Sequence, residues 1–407
     1  MTPAVRASLM VAMGTLTAVV SGARVFAQDD DRGAAPTAWT YRVRVGNEAT
    51  AARANTASPF LGPSTGSLWD GSNQIVATGD GTWTLSDRLH TGAGIAFLGA
   101  SGSDAAVHVR QAYARVSATS WLDVEAGKRL VRWGTGYAFT PTGLLDPPRT
   151  ATDPQDRLGL NEGMVLAQAT AFRGDTAFTV AAAAPRAWRA AGTAPERLVA
   201  AKLRTAIHGF ELALVASGAE GRRFSAGANF THVVGERLEW HGEWLVHDRT
   251  SPWVARLDPA AAGARTMSAL VGLQYTSASG VNVVLEGYRD GNGLDATAWQ
   301  RLVGGAAMAQ APAPAASANT ATDRPSRRDF VFVRAARAAS DGRWNPELMT
   351  ILGMDDGSVT IVPASGWTLR AHVDVYVRGV LLAGARRSEA RDAPVGATVM
   401  LGLAVRY

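Results

Sequence analysis

His241, Glu243 and His247 fall on alternate residues of one stretch, which in an extended chain places three metal-ligand side chains on the same face. Alternation alone produces such a row in any strand with a polar face. No further ligand can be assigned from neighbouring segments, so neither a metal nor a cofactor is expected. Nor can a serine or threonine be matched by spacing to a partner histidine and acid, although a triad assembled from separate strands would leave no linear motif. An enzyme is not the expected reading.

The densest chemistry lies elsewhere. The run Gly127-Lys128-Arg129-Leu130-Val131-Arg132-Trp133-Gly134-Thr135-Gly136-Tyr137 leads into a stretch holding Phe139, Pro141, Asp146, Pro147, Pro148, Arg149, Asp153, Pro154, Asp156 and Arg157. A glycine-rich, proline-stiffened loop crowded with both charges and aromatics has partners to find. Two arrangements fit. Arg129 and Arg132 either face the loop acids Asp146, Asp153 and Asp156 across an opening, or pair with those acids to stiffen a loop packed on a rim. Trp121 and Trp133 share parity with Asp123, Glu125 and Arg129, so either these indoles face the polar side or a bulge between them switches the face.

The elements that must position these residues are strands. From Trp367 to Val377 the odd positions read Trp, Leu, Ala, Val, Val, Val and the even ones Thr, Arg, His, Asp, Tyr. Leu238, Trp240, Gly242, Trp244 and Val246 alternate with Glu239, His241, Glu243, Leu245 and His247. The same period of two recurs in 39–45, 224–231 and 267–275, and a helical period fits none of them. Strands are expected at 37–46, 77–86, 89–99, 105–117, 119–133, 161–173, 175–184, 196–206, 209–217, 222–233, 236–248, 265–277, 280–290, 328–339, 343–354, 357–364, 366–380 and 396–407. That is eighteen; the segments at 77–86 and 357–364 are short, and without them the number is sixteen. Pro363 is expected only at a strand end or edge.

Connections sort by length. Tight links at Ser86-Asp87-Arg88, Arg173-Gly174-Asp175, His208-Gly209, Gly235-Glu236, Ser279-Gly280 and Ser340-Asp341-Gly342 fall on one side of the strands. Long ones at 47–76, 134–160, 185–195, 249–264, 291–327 and 381–395 fall on the other, with an Ala/Pro-rich tract from Ala306 to Thr322 read as a flexible external loop. Short turns opposite long loops are the pattern of an outer-membrane barrel, and a soluble sandwich has no reason to sort its loops so.

Compartment and composition agree with that reading. Arg6, the apolar stretch from Ala7 to Val20 and Ala23-Arg24-Val25-Phe26-Ala27 form a signal peptide expected to be cut after Ala27, the apolar part being shorter than the roughly 20 residues of a membrane-spanning helix. The expected organisation is a signal over 1–27, a short extension over 28–36 and one barrel over 37–407. The chain has no cysteine, so disulfides contribute nothing. Its formal charge of +5 loses Arg6 and Arg24 with the signal to become +3, too weak to suggest nucleic acid. Hydrophobic residues make up 47%, yet nothing after residue 27 runs apolar for 18 residues, so a membrane would have to be crossed by strands closed into a barrel.

By alternation, Arg42, Arg44, Lys202, Arg204, Glu239, His241, Glu243, Glu286, Arg370, His372 and Asp374 line the interior with Arg129 and Arg132, setting a field of mixed sign. The final strand places Val399, Leu401, Leu403, Val405 and terminal Tyr407 on one face. This resembles the C-terminal assembly signature of Gram-negative outer-membrane barrels, and implies recognition of Tyr407, Val405 and Leu403 by the barrel-assembly machinery. The stretch from Gly127 into its loop likewise resembles porin-like families, in which strand arginines and a tryptophan-glycine lead into an inward-folded loop. The resemblance implies an antiparallel up-and-down barrel in outer-membrane lipid passing small hydrophilic solutes, and by analogy a homotrimer. Two other readings differ in class: a transporter of hydrophobic compounds or plugged structural barrel, for which Gln28 to Ala38 is a short, polar plug, and a soluble periplasmic β-rich binding protein, which would extract without detergent.

Overall fold

The computed structural model describes residues 39–61, 69–184, 197–219, 224–249, 251–307, 327–337 and 343–407. Their order is β1 (Trp39–Ala54), β2 (Trp69–Ser86), β3 (Leu89–Ala100), β4 (Ala106–Thr119), β5 (Leu122–Arg129), β6 (Met164–Arg173), β7 (Thr176–Ala183), β8 (Leu198–Ile207) and β9 (Phe210–Ala219). Next come β10 (Ser225–Val234), β11 (Leu238–Asp248), helix α1 (Pro252–Leu257), β12 (Arg265–Thr276), β13 (Val281–Arg289) and helix α2 (Ala296–Ala307). The chain finishes with β14 (Asp329–Arg337), β15 (Trp344–Gly353), β16 (Ser358–Arg370), β17 (Val373–Ala383), helix α3 (Glu389–Asp392) and β18 (Val395–Arg406).

Each strand pairs antiparallel with its chain neighbours, and β1 pairs with β18, so the eighteen-stranded sheet closes on itself. The seam carries eleven register pairs, from Arg44 opposite Arg406 to Ala54 opposite Val395. All the strands expected from the alternation are present, and the sixteen-strand count is excluded. The predicted turns at 86–88, 173–175, 208–209, 235–236 and 279–280 all lie at one end of the barrel. The signal segment, the loop at 185–195, the turn at Ser340-Asp341-Gly342 and residues 308–322 of the Ala/Pro-rich tract lie outside the described residues; Ala306 and Ala307 end α2.

Four expectations need correction. β1 and β2 reach well beyond 46 and start well before 77, so the first long connection shrinks to 55–68. β5 stops at Arg129 rather than continuing to Trp133, because the chain leaves the wall there. Pro363 sits inside β16, opposite Leu348 of β15; on its other side, pairing to β17 skips Val362 and Pro363 and resumes at Ala364–Arg378. A proline lacking its N–H is tolerated where one ladder can be interrupted. Finally, the run from Trp367 to Val377 is a hairpin turning at Ala371-His372. A bulge at Leu369 keeps Trp367 opposite Val375 and Thr368 opposite Asp374, so the alternation passes through the turn unbroken.

The two faces of the wall differ as the alternation requires. On β12, Met267, Val271 and Leu273 are 42%, 63% and 40% exposed, whereas Ser268 and Leu270 between them are 4% exposed. The exposed side is the outer surface, and apolar side chains cover it from strand to strand. Trp39, Trp83, Trp240, Trp344, Trp367 and Tyr407 stand exposed near the short-turn end, where amphipathic rings suit a lipid–water boundary. Such an exterior is at home only in hydrocarbon. Val271→Arg, in the middle of β12, should therefore cost about 2–4 kcal/mol of folding free energy in lipid vesicles; urea titration of vesicle-folded protein checks this, and an unchanged midpoint would place that face away from lipid.

Candidate functional site

Past Arg129 the chain turns inward, and residues 130–163 run through the interior before rejoining the wall at Met164, which pairs back to Arg129. The returning end is fixed by Gly163 N–H donating to Arg110 O at 2.7 Å. Away from that end the loop's backbone joins no strand ladder, so amides not used in its own turns must find side-chain partners. They find carboxylates.

Glu243 on β11 collects five donors. Its Oε1 accepts from Thr135 N (2.5 Å), Gly136 N (2.6 Å) and Thr135 Oγ1 (3.2 Å), and its Oε2 from Thr142 N (2.8 Å) and Thr142 Oγ1 (2.7 Å). Glu286 on β13 accepts from Tyr137 N, from Ala138 N at 2.9 Å and from His241 Nε2 at 3.0 Å. Both acids are almost fully buried. Glycine makes the close approach feasible: a Cβ at Gly136 would lie 2.0 Å from Phe139 O, and one at Gly272 2.5 Å from His241 Nε2. Within the loop, Asp146 closes a staple by accepting from Trp133 N (2.5 Å) and Gly134 N (3.3 Å). Burial pushes the Asp146 carboxyl up to about 6, against the pull of those amides and of nearby Arg149.

Wall cations hold the loop's carbonyls. Lys202 Nζ (3.1 Å) and Asn229 Nδ2 (3.0 Å) both donate to Trp133 O. Arg378 donates to Thr152 O and Arg44 to Arg157 O, while the loop's own Arg149 donates to Gly136 O and Tyr137 O. Glu347 on β15 pairs with Arg157 at 2.9 Å and with Arg334 at 3.2 Å. Two apolar pads complete the seat: Trp133 and Leu145 pack against inward-facing Met164, Leu166, Ala181, Ala200, Val215 and Leu245, and Ala138 packs with Val284, Phe332, Met349 and Val362. The loop thus leaves β5 and is fastened to β8, β10, β11, β13, β15 and β17, reaching across the lumen to the opposite wall and narrowing it.

The residues picked out by alternation meet different fates. Glu243 and Glu286 anchor the loop, and Lys202 and Arg44 hold its carbonyls. His241 turns to Glu286, with its Nδ1 3.7 Å from Glu239, and His247 bonds Ser268 Oγ at 2.9 Å. The three members of the apparent metal row therefore do not converge. Arg129 lies over the Tyr113 ring (3.9 Å) and beside Glu125 (3.3 Å), not against Asp146, Asp153 or Asp156. Asp153 meets Arg157 at 3.5 Å, and Asp156 accepts from Leu160 N and Asn161 N. Arg132 is exposed and, like exposed Arg42, makes no hydrogen bond or ion pair among the described residues. Arg204 pairs with Glu211 at 3.1 Å near the short turns.

Arg370 and His372 belong to the β16–β17 hairpin, where the His372 ring stacks on Tyr407 at 5.8 Å. Asp374 accepts from Thr368 Oγ1 at 2.8 Å and pairs with Arg406. Tyr407 exchanges backbone bonds with Val43 at the seam, beside Val405 and Leu403. Trp133 faces inward as part of the loop and Trp121 sits in the β4–β5 turn, so no mid-strand bulge is needed to reconcile them. Sequence reasoning missed Glu347, Arg334 and Arg378, and named the loop arginines Arg149 and Arg157 without assigning their partners. The first three were readable as the polar face of their strands; Arg149 needed the fold of the loop, whose carbonyls it holds, and Arg157 the wall opposite it.

Solved structures share this architecture. Pseudomonas aeruginosa OccK11 (OpdR) is similar at 12% identity and a TM-score of 0.57, over 90% of this chain and 95% of that one. Acinetobacter baumannii OccAB1 aligns at 9% identity and 0.58, over 91% and 96%. The chain has a porin-like fold. Pseudomonas aeruginosa OpdL matches the porin-like barrel at 12% identity and 0.57, over 91% and 98% of the two chains. No family model and no curated protein sequence matches it.

In this barrel Glu243 is the group whose loss frees most of the loop. Glu243→Ala should leave five donors unpartnered, at about 1–3 kcal/mol for each that stays buried, and the loop should lift from the wall. The expected readout is larger and noisier single-channel conductance than the parent, with the folded barrel unchanged by circular dichroism; an identical conductance would show that the apolar pads suffice to seat the loop.

Proposed function

We propose that the protein is an outer-membrane channel that lets small hydrophilic solutes diffuse through a lumen narrowed by residues 130–163, and that it is not an enzyme. The observation that carries this reading is the loop itself, an inward-folded segment held to the wall by buried carboxylates in a barrel of porin-like fold. Eighteen strands enclose more space than their own side chains fill, and the loop crosses that space. A wall with lipid-compatible side chains outside and hydrogen-bonded polar groups inside supports placement in the outer membrane.

The finer parts of the reading rest on sequence. The signal ending at Ala27 would deliver the chain across the inner membrane, and Tyr407 with Val405 and Leu403 would present it to the assembly machinery. Within the lumen, Arg132 stands at the head of the loop with no acid to neutralise it, and Arg42 is similarly exposed on β1. These two cations are the candidates for setting the field that a passing ion meets. Arg129 is already neutralised by Glu125.

Purified protein in planar bilayers is expected to give discrete ohmic steps. Arg132→Glu should shift the reversal potential under a salt gradient toward cation preference, whereas Arg129→Lys, which keeps the charge facing Glu125, should leave it nearly unchanged. Absence of steps would favour a plugged barrel, and an unmoved potential in Arg132→Glu would remove that residue from the conduction path. Intact-mass measurement of the exported protein should give a chain beginning at Gln28; a mass that retains the first 27 residues would overturn the cut.

A further inference from the structure

The long-loop end of the barrel carries a second assembly that the constriction does not use. Phe60 from the β1–β2 connection, Val254 from α1, and Leu294, Ala298, Trp299, Leu302 and Val303 from the β13–β14 connection form one buried apolar cluster. The β11–β12 and β13–β14 connections are neighbours, whereas the β1–β2 connection that supplies Phe60 lies several strands further around the ring, so these loops meet by leaning over the opening. Phe60 packs edge-on to Trp299 at 6.3 Å, Trp299 Nε1 donates to Arg387 O at 2.8 Å, and Asn55 Nδ2 donates to Arg391 O and Ala393 O. The β17–β18 connection is thereby part of the same roof.

One polar cluster ties this roof to the rim. Arg327, 3% exposed, donates from its guanidinium to Leu294 O at 3.2 Å and lies 3.6 Å from Asp356. Its backbone N–H donates to Glu389 Oε2 at 2.9 Å, Glu389 N–H donates to Asp356 Oδ2 at 2.8 Å, and Ala390 N–H to Ser358 Oγ at 3.0 Å. Three connections, β13–β14, β15–β16 and β17–β18, are joined through these few bonds. Half-buried Glu389 and the buried side chain of Asp356 face one guanidinium, with Asp290 of the β13–β14 connection also acting on Glu389, and Asp392, Arg387 and Arg391 on Glu389's own connection. The cluster holds more acid than base at its centre.

We propose that this roof is a lid over the channel mouth whose seal tightens when Glu389 takes up a proton. Burial, reinforced by Asp356, pushes the Glu389 carboxyl up to about 7 in the closed arrangement, against the pull of Arg327. A lifted lid would return that carboxyl to water and to its ordinary range, near 4.5. The sign follows from linkage: the closed lid binds the proton more strongly, so closure is most favoured in acid and is progressively lost as pH rises from about 4.5 through 7. Neighbouring Asp290 and Asp392, also raised by burial, act in the same direction.

The lid concerns the mouth of the proposed channel and can be tested without conduction. The native chain has no cysteine, so Ala298→Cys places a single thiol inside the roof. Its labelling by a neutral maleimide in the folded, detergent-solubilised protein, divided by the rate for the same chain unfolded in urea at each pH, should rise at least tenfold from pH 5 to pH 7.5. In the Glu389→Gln background, labelling should be slow and its rise over that range reduced severalfold. Equal pH slopes in the two backgrounds, labelling independent of pH, or faster labelling in acid would each overturn the proposal. Should Ala298→Cys fail to fold, Val254→Cys reports on the same cluster with the same expectations. Slow labelling in acid together with an absence of ion steps at every pH would uphold the lid and sink the channel.

Discussion

Every backbone amide and carbonyl that enters hydrocarbon must meet a partner within the protein, and the architecture follows from that demand. A flat sheet would leave two raw edges, so the first strand has to find the last. It does so through the ladder between β1 and β18, locked at one end by the mutual bonds of Val43 and Tyr407. Once the ring is sealed, side chains are free to specialise by face. Outward positions are selected for solubility in lipid, and inward ones are released to carry charge.

The same demand governs the interior. Most of residues 130–163 have left the strand ladders, so the wall offers carboxylates to their amides and guanidinium or ammonium groups to their carbonyls. This explains why charges that alternation assigns to a water-filled pore are in several cases withdrawn from water. Glu243 and Glu286 act as substitute strand partners. Arg132 and Arg42 are among the described cations that stay exposed without an ion pair, and so can influence a solute.

The wall was legible in the sequence because a half-lipid, half-polar environment imposes period two on every strand, and the sorting of turn lengths gave direction. Strand ends were less legible. Past Arg129 the apolar residues Leu130, Val131 and Trp133 prolong the appearance of a strand although the chain has already turned inward, because packing in the lumen also calls for apolar side chains. At β16–β17 a bulge beside the turn preserved the phase and hid a hairpin. The constriction was half legible: the loop's composition announced it, but the partners of Arg129 lay one strand away at Tyr113 and along its own strand at Glu125, not in the loop acids. The seat formed by Val284, Phe332, Met349 and Val362 was invisible for another reason: apolar residues on the inward face make no contrast with those outside.

The gap at Pro363 gives the wall a weak joint. Between β16 and β17 the ladder loses its grip across two residues, and the next rung is Ala364–Arg378, whose guanidinium holds Thr152 of the constricting loop. Mechanical or thermal stress that unzips this joint would therefore also loosen a clamp on the loop. Wear on the outer shell and widening of the passage would then arrive as one failure, not two.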